Sequence, residues 1–485
     1  MFFSKKVWRI LAVVFTLILC YFPLCHRIDT YCVQSWDESR NFANAIGMLQ
    51  NHHWLTRYYE NQPDMWELKP PFLVWLQAFS FSVFGFNELA ARLPSMVFSM
   101  ATIILLIWLG LKITGNLWSG IIASLILVSS MGYVGEHVAR FGDHDVVLAF
   151  FSLSFLGFSY LYLNTKNNTF LILVYVSLFF GWLTKSIIIF MFLPALFLWI
   201  IVNKQLLEIV TTKTFWIGLL TVILLIMGYY TFREMQSPGY MHQVWMNEMF
   251  GRYFDKSSNY HYQKNDFWYY WTGFNEGRFK PFILVLCLTG LLVVVLKKLR
   301  FRNFISFLLL NFIVFFGVIS AGTKNFWYDA PLYPIAALCL GTFLVSLYNL
   351  NKHKIFIVTL TILILLMLYP GYLSTVQFAL NSDKNKSHPI QSLCYFLKDK
   401  NNFLPQKLSI LHDGPYTALY LYIEDARVDH RLIQLTKPID LKMNDTLLVN
   451  QNYFKESLDT VINSRLIYNK NSCELREFIG FKTKN

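Results

Sequence analysis

Runs of about 20 apolar residues recur along most of this chain, and no other feature constrains its fold so tightly. A bilayer core is about 30 Å thick, and a helix rising about 1.5 Å per residue crosses it in about 20 residues. By that ruler the sequence predicts spans near 7–25, 93–112, 116–133, 146–164, 168–183, 187–203, 214–231, 280–297, 303–321, 331–349 and 354–374, about eleven in all. The aromatic-rich segment from Pro71 to Gly85 reads as a further span or as a re-entrant or interfacial piece. The first run lacks a small-residue cleavage site and holds Pro23 among bulky neighbours, which fits a retained anchor better than a signal peptide.

Composition agrees. The 485 residues are 55% hydrophobic and only 15% charged, whereas soluble domains carry about 25% charged residues. The net charge of +13 does not point to nucleic acid, because the basic residues form no single stripe. They sit in short loops between apolar runs, as orientation signals do. With Lys5, Lys6 and Arg9 in the cytoplasm, the same side receives Lys112, Lys166, Lys204, Lys213, Lys297, Lys298, Arg300, Arg302, Lys352 and Lys354. The outer face then receives the 26–92 loop, Arg140–Asp145, Lys185, the 232–279 loop, Lys324–Asp329 and the tail from about 375. Every segment that looks chemical falls on one face.

The tail differs in kind. Short apolar runs at 408–411, 418–423 and 446–449 alternate with polar turns, which predicts a small α/β domain over 375–485 behind a membrane domain over 1–374. The seven cysteines contain no CxxC pair, so neither a disulfide framework nor a zinc knuckle is indicated.

Within the outer segments, Asp37, Glu38 and Arg40 follow the first span. Acids in a first helical turn offset the helix dipole, and Arg40 would pair locally; the same residues suit deprotonating a hydroxyl beside a phosphate. Lys69-Pro70-Pro71 reads either as a phosphate-binding lysine or as an interfacial lysine before a proline-initiated helix. Arg140 to Asp145 packs an arginine, a histidine and two acids, Asp143 and Asp145, into six residues. Lys185 is the sole charge in a short turn between apolar runs, where charge is costly unless functional or snorkelling. The 232–279 loop offers Arg233, Glu248, Arg252, His261 and Lys264 among aromatics, a surface for a sugar or lipid phosphate or else an aromatic belt. Lys324 and Tyr328 follow the span that ends near 321.

In order and spacing these motifs resemble the GT-C glycosyltransferases, in the branch of the protein O-mannosyltransferases and the bacterial aminoarabinose transferases that modify lipid A. The resemblance covers roughly residues 7–340 and rests on six matches. They are Asp37-Glu38, Lys69-Pro70-Pro71 with Trp75, Asn87 to Pro94, Arg140 to Leu148, Leu183-Thr184-Lys185, and Thr323-Lys324 with Trp327-Tyr328 and Tyr333-Pro334. Relatives often place a glutamate directly before the lysine of Lys-Pro-Pro, where this chain has Leu68 and carries Glu67 one position earlier.

The resemblance implies a polytopic α-helical GT-C fold with a small extracytoplasmic α/β domain. It implies inverting transfer from a polyprenyl-phosphate-linked sugar to a lipid, protein or glycan, in the bacterial cytoplasmic membrane with the site on its periplasmic side. Asp37 is then the expected base, with Glu38, Asp143 and Asp145 as accompanying acids; Asp145 would orient the base or hold sugar hydroxyls. Arg40, Lys69, Lys185, Arg252 and Lys324 are the expected donor-phosphate cations, and Arg140, Tyr328 and Glu248 the expected substrate contacts. Membrane lipids are expected partners, nucleic acid is not, and no cofactor is expected; a divalent metal, which some relatives hold through a glutamate at the position of Leu68, is not favoured here. A transporter would place charges or broken helices near the midplane, and a non-catalytic membrane protein would not need the acids and lysines together.

Overall fold

The structure, a computed structural model, describes residues 5–34, 36–60, 62–250, 266–350, 353–381, 389–399, 404–411, 417–437, 440–450, 460–470 and 472–482. Its principal helices are α1 (Lys5–Cys25), α2 (Asp37–Asn51), α3 (Phe72–Phe84), α4 (Glu88–Thr114), α5 (Leu117–Val128), α6 (His144–Thr165), α7 (Asn168–Lys185), α8 (Leu193–Val202), α9 (Lys213–Gln236), α10 (Phe282–Val295), α11 (Arg302–Ala321), α12 (Leu332–Leu350), α13 (Lys354–Leu380), α14 (Pro389–Lys398) and α15 (Tyr420–Val428). Five strands follow α13: β1 (Lys407–Leu411), β2 (Leu432–Thr436), β3 (Thr446–Asn450), β4 (Ile462–Lys470) and β5 (Cys473–Phe481). The chain divides into two compact units, one of residues 1–26, 63–73 and 95–380, the other of 27–62, 74–94 and 381–485.

In the first unit, eight helical stretches among the described residues are long and apolar enough to cross a membrane, or nine if a bent pair forms one span. The sequence predicted about eleven, and the differences have local causes. The predicted span 116–133 yields α5, only 12 residues long, or about 18 Å at a helical rise. The predicted 168–183 and 187–203 form one apolar stretch from Asn168 to Val202, interrupted by a 3-10 turn at Ser186–Phe192. The predicted 280–297 pairs with the helix Tyr269–Arg278 at a bend of 119°. The Pro71–Gly85 segment forms α3, whose 13 residues are too few for a full crossing.

Helices α6 and α12 form the interior of this unit, each 83% buried across its apolar window, whereas α9 and α13 are 11% and 17% buried. Their exposed Leu, Ile and Met side chains suit contact with lipid. Helix α5 lies against α12 and α4 through small residues, as membrane helices do where backbones must meet. A Cβ on Gly120 would stand 2.4 Å from Ile107 Cα, and one on Gly341 would stand 2.3 Å from the Ser119 carbonyl oxygen.

The second unit is a five-stranded sheet in the order β2-β1-β3-β5-β4, with β2, β1 and β3 parallel and β5 antiparallel to both neighbours. The domain boundary predicted at 374/375 falls within α13. Helix α13 continues to Leu380, and most of the outer loop shares one core with the tail. Phe42, Ile46, Phe81 and Ala90 cluster with Leu393, Leu419, Leu421 and Leu448. Polar ties accompany that core. Tyr422 donates to Glu88 at 2.9 Å and accepts from the Val33 N–H at 3.1 Å, while Gln391 donates to the Val33 carbonyl at 2.6 Å.

Candidate active site

The first unit gathers Asp143, Asp145, Lys185, Lys69 and Tyr328 around the start of α6. Asp143 caps that helix, accepting from the His144 N–H at 2.7 Å and from His137 Nδ1 at 3.0 Å. Burial would push its carboxyl up, but the His137 hydrogen bond, His144 and Lys185 hold it below the usual carboxylate range. In the first turn of α6, Asp145 takes the Lys185 ammonium on both oxygens at 2.6 Å, with side chains only 1% and 4% exposed. Lys185 reaches it from the last residue of α7, where Ser186 turns the backbone at φ 53°. Such a left-handed, non-glycine turn is costly and persists where surrounding structure enforces it.

Two further segments close on this pair. The ring of Tyr328 lies 4.8 Å from the Lys185 ammonium, and the neighbouring Trp327 stacks on His137 at 3.9 Å. Their loop is anchored by Asp329, which accepts from Arg278 at 2.5 Å and from the Tyr333 hydroxyl at 3.0 Å. Lys69 bonds Glu67 at 2.9 and 3.1 Å, and its charge also acts on Asp145. The Leu68 carbonyl between them is held by the Tyr240 hydroxyl at 2.7 Å, and Tyr240 is itself covered by the Arg233 guanidinium at 4.2 Å. Beyond Pro71 a ring cluster sets this segment against α6 and α7: Phe72 meets Phe180 at 5.0 Å, and Phe151 meets Phe180 at 5.7 Å. A cavity of about 20 Å³ lies among Asp145, Lys185, Met191, Thr323 and Tyr328, room for one water-sized group.

Several expected site residues are engaged in holding the fold. Arg140 was expected to touch substrate; it is fully buried and donates to the carbonyls of Pro23 at 3.2 Å and His26 at 3.0 Å. Those carbonyls end α1, where backbone acceptors lack helical partners. Lys324, expected on phosphate, turns back onto the carbonyls of Ser320 and Gly322 at 2.5 and 2.6 Å, closing α11 in the same way. Glu38, expected among the acids, gives its two oxygens to Arg92 at 2.7 and 2.8 Å. Arg92 also donates to the carbonyls of Ile28, Tyr31 and Cys32, so this fully buried pair shapes the chain leading into α2.

Asp37 opens α2 in the second unit, half-buried. Arg40 lies one turn on, its guanidinium 4.3 Å from the Tyr59 ring centroid. Glu248 belongs to the first unit, near enough to act on Tyr230, whose hydroxyl meets Ser186 at 3.2 Å. Arg252, His261 and Lys264 lie outside the described residues. Sequence reasoning missed His137 and Arg278. His137 sits at φ 64°, but no local pattern marks a histidine that stacks on a tryptophan 190 residues away in the chain.

Within the first unit His137 and Asp143 offer two ligand-type atoms 3.0 Å apart, and Glu67 is bonded to Lys69. A divalent ion takes about four to eight donors, so these residues do not by themselves complete a site.

Long apolar helices, one of them broken, with a cluster of paired charges at helix ends, make this a polytopic integral membrane protein. The family model for dolichyl-phosphate-mannose-protein mannosyltransferase matches residues 68–230. In structure the chain is similar to ArnT from Cupriavidus metallidurans bound to undecaprenyl phosphate, with a TM-score of 0.70, 14% identity and 98% of each chain covered. It is also similar to the Archaeoglobus fulgidus oligosaccharyltransferase in complex with Zn and sulfate, with a TM-score of 0.52 and 12% identity over 88% of this chain and 62% of that one. In sequence it is 26% identical over 406 residues to an uncharacterized protein of Aquifex aeolicus (strain VF5), covering 82% of this chain and 75% of that one. The chain thus has the GT-C fold of these solved structures.

Proposed function

We propose that this protein is an inverting glycosyltransferase that moves a sugar from a polyprenyl-phosphate donor to an acceptor hydroxyl on the non-cytoplasmic face. The observation that carries the reading is the buried Asp145–Lys185 pair beneath Tyr328, at the ends of two apolar helices. A lysine held at such a depth by one carboxylate is poised to exchange that partner for a lipid phosphate, whose oxygens match it in charge. The undecaprenyl phosphate bound to ArnT supports the same class of donor. Charge at helix ends rather than at mid-span favours an enzyme over a transporter.

In this reading Asp37 takes the acceptor hydroxyl proton while the acceptor oxygen bonds to the anomeric carbon. The bond from that carbon to the phosphate oxygen breaks, and polyprenyl phosphate departs with the electron pair. Lys185 and Lys69 stabilise the charge developing on the leaving phosphate, with Arg40 and Arg252 as further cations. Tyr328 and Trp327 offer ring faces for the sugar. The small cavity requires the donor to displace the side chains of Tyr328 or Met191, or to part Lys185 from Asp145.

The test is mass spectrometry of glycolipids and glycoproteins from cells with and without the gene, followed by transfer assays on purified protein with the matching polyprenyl-phosphate sugar. A glycan that disappears with the gene, and is restored by wild-type but not by Asp37→Asn protein, is the expected result. An unchanged glycan profile together with no transfer from any polyprenyl donor would overturn the reading.

A further inference from the structure

A second cavity lies at the other end of the first unit. Arg140 caps α1 at Pro23, and Arg9 lies 14 residues earlier on that helix, about 21 Å away at 1.5 Å per residue. There the start of α1, the turn between α4 and α5, and the chain before α11 enclose about 400 Å³, lined by Trp8, Arg9, Thr114, Asn116, Trp118 and Arg300. That volume is within the usual range of ligand sites, about 300–1,000 Å³.

The lining has the chemistry of a lipid headgroup site. Arg9 and Arg300 bring two guanidiniums, both on exposed residues, from segments 291 positions apart in sequence. Trp8 and Trp118 are 59% and 57% exposed beside them, the position tryptophan takes at the boundary of headgroups and acyl chains. The backbone between them is shaped for close approach. Gly115 sits at φ 68° with open space where a Cβ would be, and Asn116 caps α5 by accepting from the Trp118 N–H at 3.0 Å. The first turn of α5 thereby adds its positive end to the same cavity. None of these residues belongs to the candidate active site.

We propose that this cavity binds the phosphate of an anionic phospholipid, with Arg9 and Arg300 on the phosphate and the two tryptophans against the glycerol and upper acyl chain. The occupant is a lipid rather than free phosphate because the tryptophans give the cavity an apolar, membrane-level wall that inorganic phosphate cannot use. The site differs from a general basic surface in being concave and built from three separate segments.

The experiment is native mass spectrometry of the full chain released from nanodiscs of phosphatidylglycerol, of phosphatidylcholine, or of their mixture. Wild-type protein is expected to retain one phosphatidylglycerol in preference to phosphatidylcholine. A basic residue near an anionic membrane surface contributes about fivefold, so Arg9→Gln with Arg300→Gln should cut the preference by about 25-fold. Arg9→Lys with Arg300→Lys, which keeps the charge, should retain most of it, and Lys213→Gln, an exposed basic residue outside the cavity, should leave it unchanged. Equal retention of both lipids by wild-type, or a preference that survives the double glutamine change, overturns the proposal. Release of the bound lipid by excess inorganic phosphate would assign the cavity to free phosphate and overturn it likewise.

Discussion

Asp145 and Lys185 illustrate how much a single buried pair has to satisfy. Breaking such a pair leaves a buried charge uncompensated, at a cost of about 3–5 kcal/mol. Lys185→Ala is therefore expected to lower thermal stability and also to weaken donor binding more than acceptor binding. The two effects separate in Lys185→Met with Asp145→Leu, where apolar side chains of similar size replace both charges. Stability should then largely return while donor affinity, read by titration with polyprenyl phosphate, should not. Recovery of donor affinity in the double variant would remove Lys185 from phosphate recognition. Asp37 has a different signature. Asp37→Asn keeps shape but removes basicity, so turnover should fall by about a hundredfold or more with donor binding retained. Near wild-type turnover would exclude Asp37 as the base. The His137–Asp143 pair bears on metal dependence. We propose that transfer survives thorough chelation, and the assay is transfer by EDTA-treated enzyme with and without added zinc, magnesium or manganese. Loss of activity restored by one ion would overturn that proposal and make His137 and Asp143 the first positions to mutate.

Among the elements, α5 tests whether small residues set the helix packing. Gly120 already stands where a Cβ would collide with Ile107 and with the Leu106 carbonyl. Both obstacles are backbone, so relief requires α4 and α5 to part. Gly120→Val is expected to destabilise the first unit by at least the usual overpacking cost, about 1–3 kcal/mol, seen as a lower unfolding temperature in detergent. An unchanged unfolding temperature would show that α5 can shift without loss. The elements also differ in how their ends are closed. The caps Asn116, Asp143 and Asn167 stand immediately before their helices. The carbonyl ends of α1 and α11 are closed instead by Arg140 and Lys324, and for Arg140 the partner lies 117 residues away.

At the scale of the molecule, the tail is part of a core that the outer loop also builds. Phe42, Ile46 and Phe81 share a cluster with Leu393, Leu421 and Leu448, so removing residues 381–485 is expected to uncover the apolar faces of α2 and α3. The truncated chain should show early proteolysis within 27–62 and aggregate during size-exclusion chromatography. A monodisperse truncated protein with an intact loop would restore the tail as a separate domain.

The sequence by itself determined the membrane class, the sidedness pattern of its basic residues, the change of character near 375, and most of the acids and lysines worth considering. These are readable because span length, charge bias and strand alternation are local properties, each decided within about 20 residues. Only the tertiary structure decided which opposite charges meet. Glu38 meets Arg92 across 54 positions, and Lys185 meets Asp145 across 40. Both pairs are buried opposite charges in sequence-distant segments, and nothing near either residue distinguishes a pair that closes the fold from one that lines a cavity. That distinction comes from how helices pack, because a buried charge needs a close opposite charge to offset its desolvation whatever its role, and the packed backbone selects which one arrives.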